Sequence, residues 1–240
     1  MGDSEEKTIN CLGFIMDGNR RWAKDQGLPT YEGHKQGGEV LQDYIQQVRD
    51  AGIPNAVFYA FSTENWNRSE EEVRYLMDLF REWLRRIDER LDDQNDTEAQ
   101  TAEKIKIRII GRREDFAPDI VQQMNALEAK SQEYPDAKTT IWFALSYGGR
   151  AEIVEAVNQA VKNGESIDEA AFEQLLWSAD MPDPDLIIRT SGEQRLSNFM
   201  TWKSVYSELY FIDKHWPALT KDDFKDILDE YKRRNRRNGK

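Results

Sequence analysis

Cysteine and histidine are almost missing from this 240-residue sequence, which holds one cysteine, Cys11, and two histidines, His34 and His215. A lone cysteine excludes an intrachain disulfide and fits a reducing compartment. Its place in the apolar run "CLGFIM" makes it a core thiol. Two histidines leave no material for a multi-histidine transition-metal centre. Long apolar runs are lacking too: none approaches the roughly 18 residues of a membrane span. The opening "MGDSEEKTIN" is acidic and polar, unlike a secretory signal, so cytoplasmic residence is expected. Positive charge is in deficit, 33 basic against 45 acidic residues for a formal charge of -12. That balance opposes sequence-independent attraction to nucleic acid or anionic lipid. Neither G-x-G-x-x-G nor G-x-x-x-x-G-K-[ST] occurs, so both common nucleotide fingerprints are absent, and nucleic acid is not an expected partner.

Apolar residues make up 39% of the chain, including seven Trp, nine Tyr and ten Phe, enough for a sizeable core despite 32% charged residues. Six short apolar runs read as buried strands: 11–16, 56–62, 105–111, 139–146, 185–190 and 208–212. Helical patterns lie between them, clearest over 37–51, 69–91, 118–131, 150–162, 168–178 and 220–234. This alternation predicts an α/β fold, one domain over residues 1–240, with a central six-stranded, mostly parallel sheet flanked by helices on both faces. Residues 1–8 are expected to be flexible and 232–240 to form a basic C-terminal tail. The acidic stretch 92–104 reads as a solvated connection. In 69–91, Val73, Leu76, Met77, Phe80, Trp83, Leu84 and Ile87 form a broad apolar stripe. Core packing and the lining of an apolar pocket both fit it.

Ligands of open α/β sheets sit beyond the carboxyl ends of the strands. Four runs carry unusual chemistry there: "DGNRRW", "STENWNR", "YGGR" and "SGEQRLSN". Together they supply Arg20, Arg21, Arg68, Arg150, Arg189 and Arg195, small hydroxyls and amides, and Gly18, Gly148, Gly149 and Gly192. Guanidinium forks beside backbone stripped of Cβ suit phosphate. Magnesium takes one or two protein carboxylates and completes its shell with phosphate oxygens and water. Asp17 is therefore the metal candidate, with a helix N-cap as the alternative reading.

The segments "IMDGNRRWAKDQG", "GHKQGG", "YAFSTENWNR", "RIIG", "SYGGRAEI", "DLIIRTSGEQRLSNFMTWKSVYSELYF" and the terminal "RNG" resemble, in order and spacing, the cis-prenyltransferases typified by undecaprenyl diphosphate synthase. The resemblance covers nearly the whole chain. It implies a magnesium-dependent enzyme that condenses isopentenyl diphosphate with an allylic diphosphate, farnesyl or geranyl, and forms cis double bonds, with an apolar tunnel for the product. It assigns Asp17 to magnesium, helped by Glu208. Gly18, Asn19, Arg20, Arg21, Trp22 and His34 go to the allylic diphosphate, and Arg189, Arg195 and Ser197 to isopentenyl diphosphate. The loop residues Ser62, Thr63, Glu64, Trp66 and Arg68 become substrate contacts. Asn65 is the family's proton acceptor, although an amide is better suited to orient a proton than to take it. Arg237 and Gly239 match a terminal R-x-G element that reaches a diphosphate across a homodimer interface. A lipid product implies peripheral contact with a membrane.

Three positions depart from the family pattern: Thr30 where many bacterial members carry arginine, Ser146 where asparagine is common, and Arg20 where glycine is frequent. Two D-D-x-x-D patterns, at 92–96 and 222–226, bring to mind the trans-prenyltransferases, but those are all-helical and have no place for six strands. The second pattern follows Thr220 as an acidic capped first turn would. A non-catalytic partner subunit of the same fold is the alternative function. Retention of Asp17, Asn19, Arg21, Asn65, Arg189, Arg195 and Glu208 speaks for catalysis.

Overall fold

Each apolar run forms a strand, and all of them join one sheet. The structure is a computed structural model and describes residues 8–92, 104–164 and 166–234. In chain order its elements are β1 (Cys11–Ile15), α1 (Asn19–Asp25), α2 (Thr30–Asp50), β2 (Asn55–Ser62), α3 (Glu70–Asp92), β3 (Ile105–Ile110) and α4 (Pro118–Ser131). There follow β4 (Thr139–Tyr147), α5 (Gly149–Asn163), α6 (Glu169–Glu173), β5 (Leu186–Arg189), β6 (Glu208–Phe211) and α7 (Lys221–Arg233). The strand order is β3-β4-β2-β1-β5-β6, and every pairing is parallel. The chain leaves β1 toward β2 and later returns to place β5 on its other side. The crevice between β1 and β5 is thus the topological switch point, where open sheets of this type receive ligands.

Side chains alternate between two clusters, as the two-residue strand period requires. Leu12 and Phe14 of β1 face the larger one with Phe58, Ile141, Phe143 and Ile188, and α2, α3, α4 and α7 cover it. Cys11 and Ile15 face a smaller one with Val57, Trp142, Tyr147 and Phe199. Alternation slips in β2, where Phe58 and Phe61 share a cluster. A register shift against β4 between Tyr59 and Phe61 supplies the extra residue. In the larger cluster Phe14 stacks on Phe58 with centroids 4.7 Å apart, and the buried Trp216 donates from Nε1 to the Gly37 carbonyl at 2.8 Å.

Two helices differ from their sequence patterns. The helix expected over 37–51 begins at Thr30, because its glycines, poor helix formers, serve close contact: a Cβ at Gly33 would stand 2.0 Å from the Asn19 carbonyl oxygen of α1. The helix expected over 168–178 ends at Glu173. Ser178 is drawn off to the buried carboxylate of Glu152, donating to Oε1 from its backbone N–H at 2.9 Å and its hydroxyl at 2.7 Å. The second D-D-x-x-D pattern is a capped first turn: Thr220 Oγ1 accepts from the Asp223 N–H and Asp223 Oδ2 accepts from the Thr220 N–H. Most of the first pattern, the connection 93–103, the N-terminal residues 1–7, and Arg237 and Gly239 lie outside the described residues.

Candidate active site

The ends of β1 and β5 are tied across the switch point. The Asp17 N–H donates to Thr190 Oγ1 at 2.9 Å, and that hydroxyl donates to the Asp17 carbonyl at 2.6 Å. Between them Gly18 turns the chain into α1 with φ of 101°. A side chain there would meet Ser191 Oγ at 2.6 Å and His215 Nδ1 at 2.7 Å. Gly18, not Asp17, occupies the N-cap position of α1, which leaves the Asp17 carboxylate free to face the mouth.

That carboxylate sits between two guanidinium groups. Arg189 Nη2 reaches Oδ2 at 2.9 Å and Arg21 Nη2 reaches Oδ1 at 3.0 Å. Partial burial works to raise the Asp17 pKa, but hydrogen bonds from Arg189 and Arg21 outweigh it and hold the carboxyl below its ordinary range. Arg189, 4% exposed, also donates from Nη1 to Ser197 Oγ at 2.7 Å and to the Arg195 carbonyl. Its Nε is buried without a partner among the described residues. Arg195 is open to solvent and shares the carboxylate of Glu193 with Arg21. The loop that carries these groups holds Ser191, Ser197, Asn198 and Met200 at positive φ. Such backbone costs about 1–3 kcal/mol per residue and persists where surrounding contacts dictate it, as at binding sites.

The loop after β2 forms the opposite wall. It is a short 3-10 turn, Thr63–Asn67, closed by a capping box in which Asn65 Oδ1 accepts from the Ser62 N–H at 3.0 Å. Glu64 accepts from Asn198 Nδ2 at 2.8 Å and from Thr63 at 3.2 Å, fastening this loop to the one after β5. Burial would raise the Glu64 pKa, yet these bonds leave it lowered. Trp66 Nε1 donates to Ser146 Oγ at 2.8 Å, and Ser146 donates on to Asp115, so the serine at this departure from the family pattern anchors the turn. Beyond it, Glu72 on α3 gathers Arg68 at 2.9 Å, His34 at 3.4 Å and Arg20 at 3.5 Å. Burial first, and then the positive Arg68, bring the His34 pKa down to about 4 despite Glu72. His34 is therefore neutral near pH 7. Trp22 stands half-buried on α1.

Glu208 is not brought to Asp17 within the chain. It opens β6 in register with Leu186, whereas Arg189 pairs with Phe211. Three strand positions, roughly 10 Å, separate it from the level of Arg189. Its carboxylate faces Arg234 at 3.4 Å. Among the described residues no group of three acidic, histidine or cysteine side chains could hold a metal ion. The donor set is thus one carboxylate, Asp17, beside guanidinium groups. This fits magnesium that arrives with or completes its shell on diphosphate oxygens, provided Arg21, the more exposed partner, yields its place.

Below the mouth, Met16, Asn19 and His34 pass into an apolar cavity of about 50 Å³ walled by Leu76, Leu79, Phe80 and Trp83 of α3 and by Gly37 and Leu41 of α2. The stripe on α3 thus both fills the core and lines a pocket. A cavity of that volume is not by itself the apolar tunnel that the family resemblance implies.

A family model for undecaprenyl diphosphate synthase matches residues 15–239. The chain belongs to the undecaprenyl diphosphate synthase family. It is 43% identical over 233 residues to an isoprenyl transferase of Thermotoga maritima, covering 95% of both chains. It is 40% identical over 235 residues to a farnesyl-diphosphate-specific ditrans,polycis-undecaprenyl-diphosphate synthase of Micrococcus luteus, covering 95% of this chain and 90% of that one. A crystal structure of lavandulyl diphosphate synthase from Lavandula x intermedia, in complex with dimethylallyl diphosphate, matches with a TM-score of 0.87 and 34% identity over 97% of this chain and 99% of that chain. The protein is a prenyl transferase of the cis-prenyltransferase fold.

Within this family member, sequence reasoning missed the acidic partners of the site. Glu72 follows Arg68 at i+4, a spacing that signals a helical ion pair, and Glu193 lies two residues before Arg195. Glu72 pairs with Arg20 and Arg68, and Glu193 with Arg21 and Arg195, so each carboxylate balances two guanidinium groups of the mouth.

Proposed function

We propose that the protein is a magnesium-dependent synthase of cis-polyprenyl diphosphates, joining isopentenyl diphosphate to an allylic diphosphate such as farnesyl or geranyl diphosphate. The allylic carbon–oxygen bond breaks, C4 of isopentenyl diphosphate bonds to the allylic C1, a proton leaves C2, and diphosphate is released. The observation that carries this reading is the convergence of Arg21, Asp17 and Arg189 at the switch point, bridged by hydrogen bonds from β1 to β5.

The placement of these groups supports the roles that the family resemblance implies. Arg20, Arg21, Asn19, Gly18, Trp22 and His34, on α1 and the facing turns of α2, receive the allylic diphosphate. Arg189, Arg195 and Ser197 receive isopentenyl diphosphate, with Arg189 already oriented by Ser197. Fixed donors of this kind stabilise charge that grows on the leaving diphosphate without reorganising. Magnesium, held by Asp17, would add Lewis-acid stabilisation of the same charge. Asn65 uses Oδ1 within its own turn, so its amide N–H₂ is the group left to steer a diphosphate oxygen toward the departing proton. Ser62, Thr63, Glu64, Trp66 and Arg68 shape this wall and, with the apolar cavity beneath, shield the cation-like fragment from water.

The catalytic form is a homodimer. Val154, Val157 and Val161 of α5 lie at helical spacing and are 56%, 45% and 73% exposed, with Val205 and Tyr206 exposed as well. An exposed apolar row of this kind supports an interface between two copies of the chain. No helix among the described residues is long and apolar enough to cross a membrane, so contact with lipid would be peripheral and made through the product.

Incubation of the purified chain with magnesium, isopentenyl diphosphate and farnesyl or geranyl diphosphate should yield an extended, solvent-extractable prenyl product and free diphosphate. Chelation should stop both. Failure to extend either starter would refute the reading.

A further inference from the structure

Trp83 of α3 lies across a notch that Gly38 leaves in α2. A Cβ at Gly38 would stand 1.6 Å from Trp83 Cζ2, 2.3 Å from Cε2 and 2.4 Å from Cη2, so the benzene half of the indole fills the space that any side chain would need. Glycine inside a helix costs about 1 kcal/mol relative to alanine, and α2 carries that cost where the ring is seated. The same indole walls the cavity below Asn19 and His34.

At about 50 Å³ this cavity is smaller than the roughly 150 Å³ apolar cavity that admits benzene. A prenyl tail that lengthens at the mouth must therefore displace part of the wall. Leu76, Leu79 and Phe80 are 5%, 5% and 6% exposed and belong to the main core. Trp83 is only partly buried and packs on that core from its edge, with bare backbone as its seat. The other tryptophan of the wall, Trp216, is 1% exposed and hydrogen-bonded to the Gly37 carbonyl, so Trp83 is the bulky ring left to yield.

We propose that Trp83, seated on Gly38, is the stop that sets product length: the chain grows into the cleft between α2 and α3 until its end meets the indole. This rests on the prenyl-elongation reading above. The test compares products of the wild type with those of Trp83→Ala, Trp83→Phe and Gly38→Ala, each supplied with magnesium, isopentenyl diphosphate and farnesyl diphosphate and analysed by mass after dephosphorylation. Trp83→Ala should move the most abundant product at least one five-carbon unit longer, with Trp83→Phe between it and the wild type. Gly38→Ala, which drives the ring into the cavity, should move it shorter.

Thermal melts read the contact without reference to activity. Gly38→Ala should lower the melting temperature alone and leave it unchanged or raise it in the Trp83→Ala background, where the methyl enters vacated space. Additive melts overturn the contact. Identical product lengths in the wild type, Trp83→Ala and Trp83→Phe overturn the stop, while extension by the wild type leaves the parent reading standing. A wild type that extends nothing brings down both. If Trp83→Ala does not fold, the Trp83→Phe and Gly38→Ala products decide alone.

Discussion

Replacing Asp17 with asparagine keeps the shape of the mouth and removes one negative charge from between two guanidinium groups. Three consequences can be sized. The first is stability. Asp17 accepts charge-assisted hydrogen bonds from Arg189 at 2.9 Å and Arg21 at 3.0 Å. Bonds to charged groups contribute about 1.5–3 kcal/mol, but the pair with the half-exposed Arg21 is screened and adds little. The loss should be about 1–3 kcal/mol, which for a chain of this size lowers the melting temperature by about 2–4 °C per kcal/mol. Because the folded-state pKa of Asp17 is lowered, its stabilisation is present above the unfolded value, near 3.9, and disappears as pH falls through the folded one. The wild type and Asp17→Asn should therefore converge in stability at strongly acid pH.

The second consequence is binding. An anion about 6 Å from the carboxylate is repelled by roughly 3 kcal/mol per unit charge at an effective dielectric of 20, and salt at physiological strength cuts that by about half. Metal-free inorganic diphosphate should thus bind the variant at least as tightly as the wild type, tighter by about tenfold for each unit of charge it brings that close. The third is turnover, where loss of an electrostatic contact made to the leaving group costs about 10²- to 10³-fold. Titration calorimetry and single-turnover product formation separate the two. Full turnover in Asp17→Asn, or diphosphate binding lost in step with turnover, would show that the carboxylate serves substrate geometry or folding and not a metal.

Four further outcomes follow from the same contacts. His34→Gln should flatten the acid limb of stability: His34 titrates near 4 when folded and near 6.5 when unfolded, so its contribution is complete above pH 6.5 and is lost toward pH 4. A wild-type melting temperature level between pH 6.5 and 4.5 would contradict this. Gly18→Ala should lose at least ~1 kcal/mol to its positive φ, plus whatever moving Ser191 and His215 requires, and should weaken diphosphate binding; a melt matching the wild type would refute the close approach. Trp66→Phe should cost about 1 kcal/mol for the bond to Ser146 and slow turnover without changing metal dependence, which a magnesium titration checks. Arg195→Ala should mainly raise the KM for isopentenyl diphosphate, since Arg195 is exposed and, among the described residues, its guanidinium pairs with Glu193 alone. A selective rise in the allylic KM would mean that the two diphosphate sites have been exchanged.

Much of the fold was legible because each strand is a β-branched or aromatic run flanked by turn chemistry, and the rule that places ligands beyond the strand ends pointed to the rim where Asp17, Arg21 and Arg189 meet. The start of α2 at Thr30 was not legible. Gly33, Gly37 and Gly38 weaken a helix locally, and only the contacts with α1, Trp216 and Trp83 explain why the helix includes them. The length of α6 was hidden for a similar reason, since a buried carboxylate on another helix claims Ser178. Glu208 is the instructive case. It opens its strand, so the strand-end rule itself puts it at the other rim, and family resemblance alone carried it to the site. The acidic groups that balance the arginines, Glu72 and Glu193, lay in plain view but were not read, because a search for phosphate chemistry looks for cations and overlooks what keeps them apart.

The division between mouth and cleft also bears on how one scaffold supports different products. This chain shares 40% of its residues with a protein named for undecaprenyl diphosphate synthesis and 34% with one named for lavandulyl diphosphate synthesis, over nearly the same span. The parts proposed to handle diphosphate are rim loops locked by charge-assisted bonds, where a displacement of an ångström is costly. The cleft between α2 and α3 is bounded by apolar contacts that exchange volume for a kilocalorie or two. Substitutions that redirect the carbon skeleton are therefore cheap below the mouth and expensive at it. In this chain the cheapest such position is the seat of Trp83, where one ring rests on one glycine.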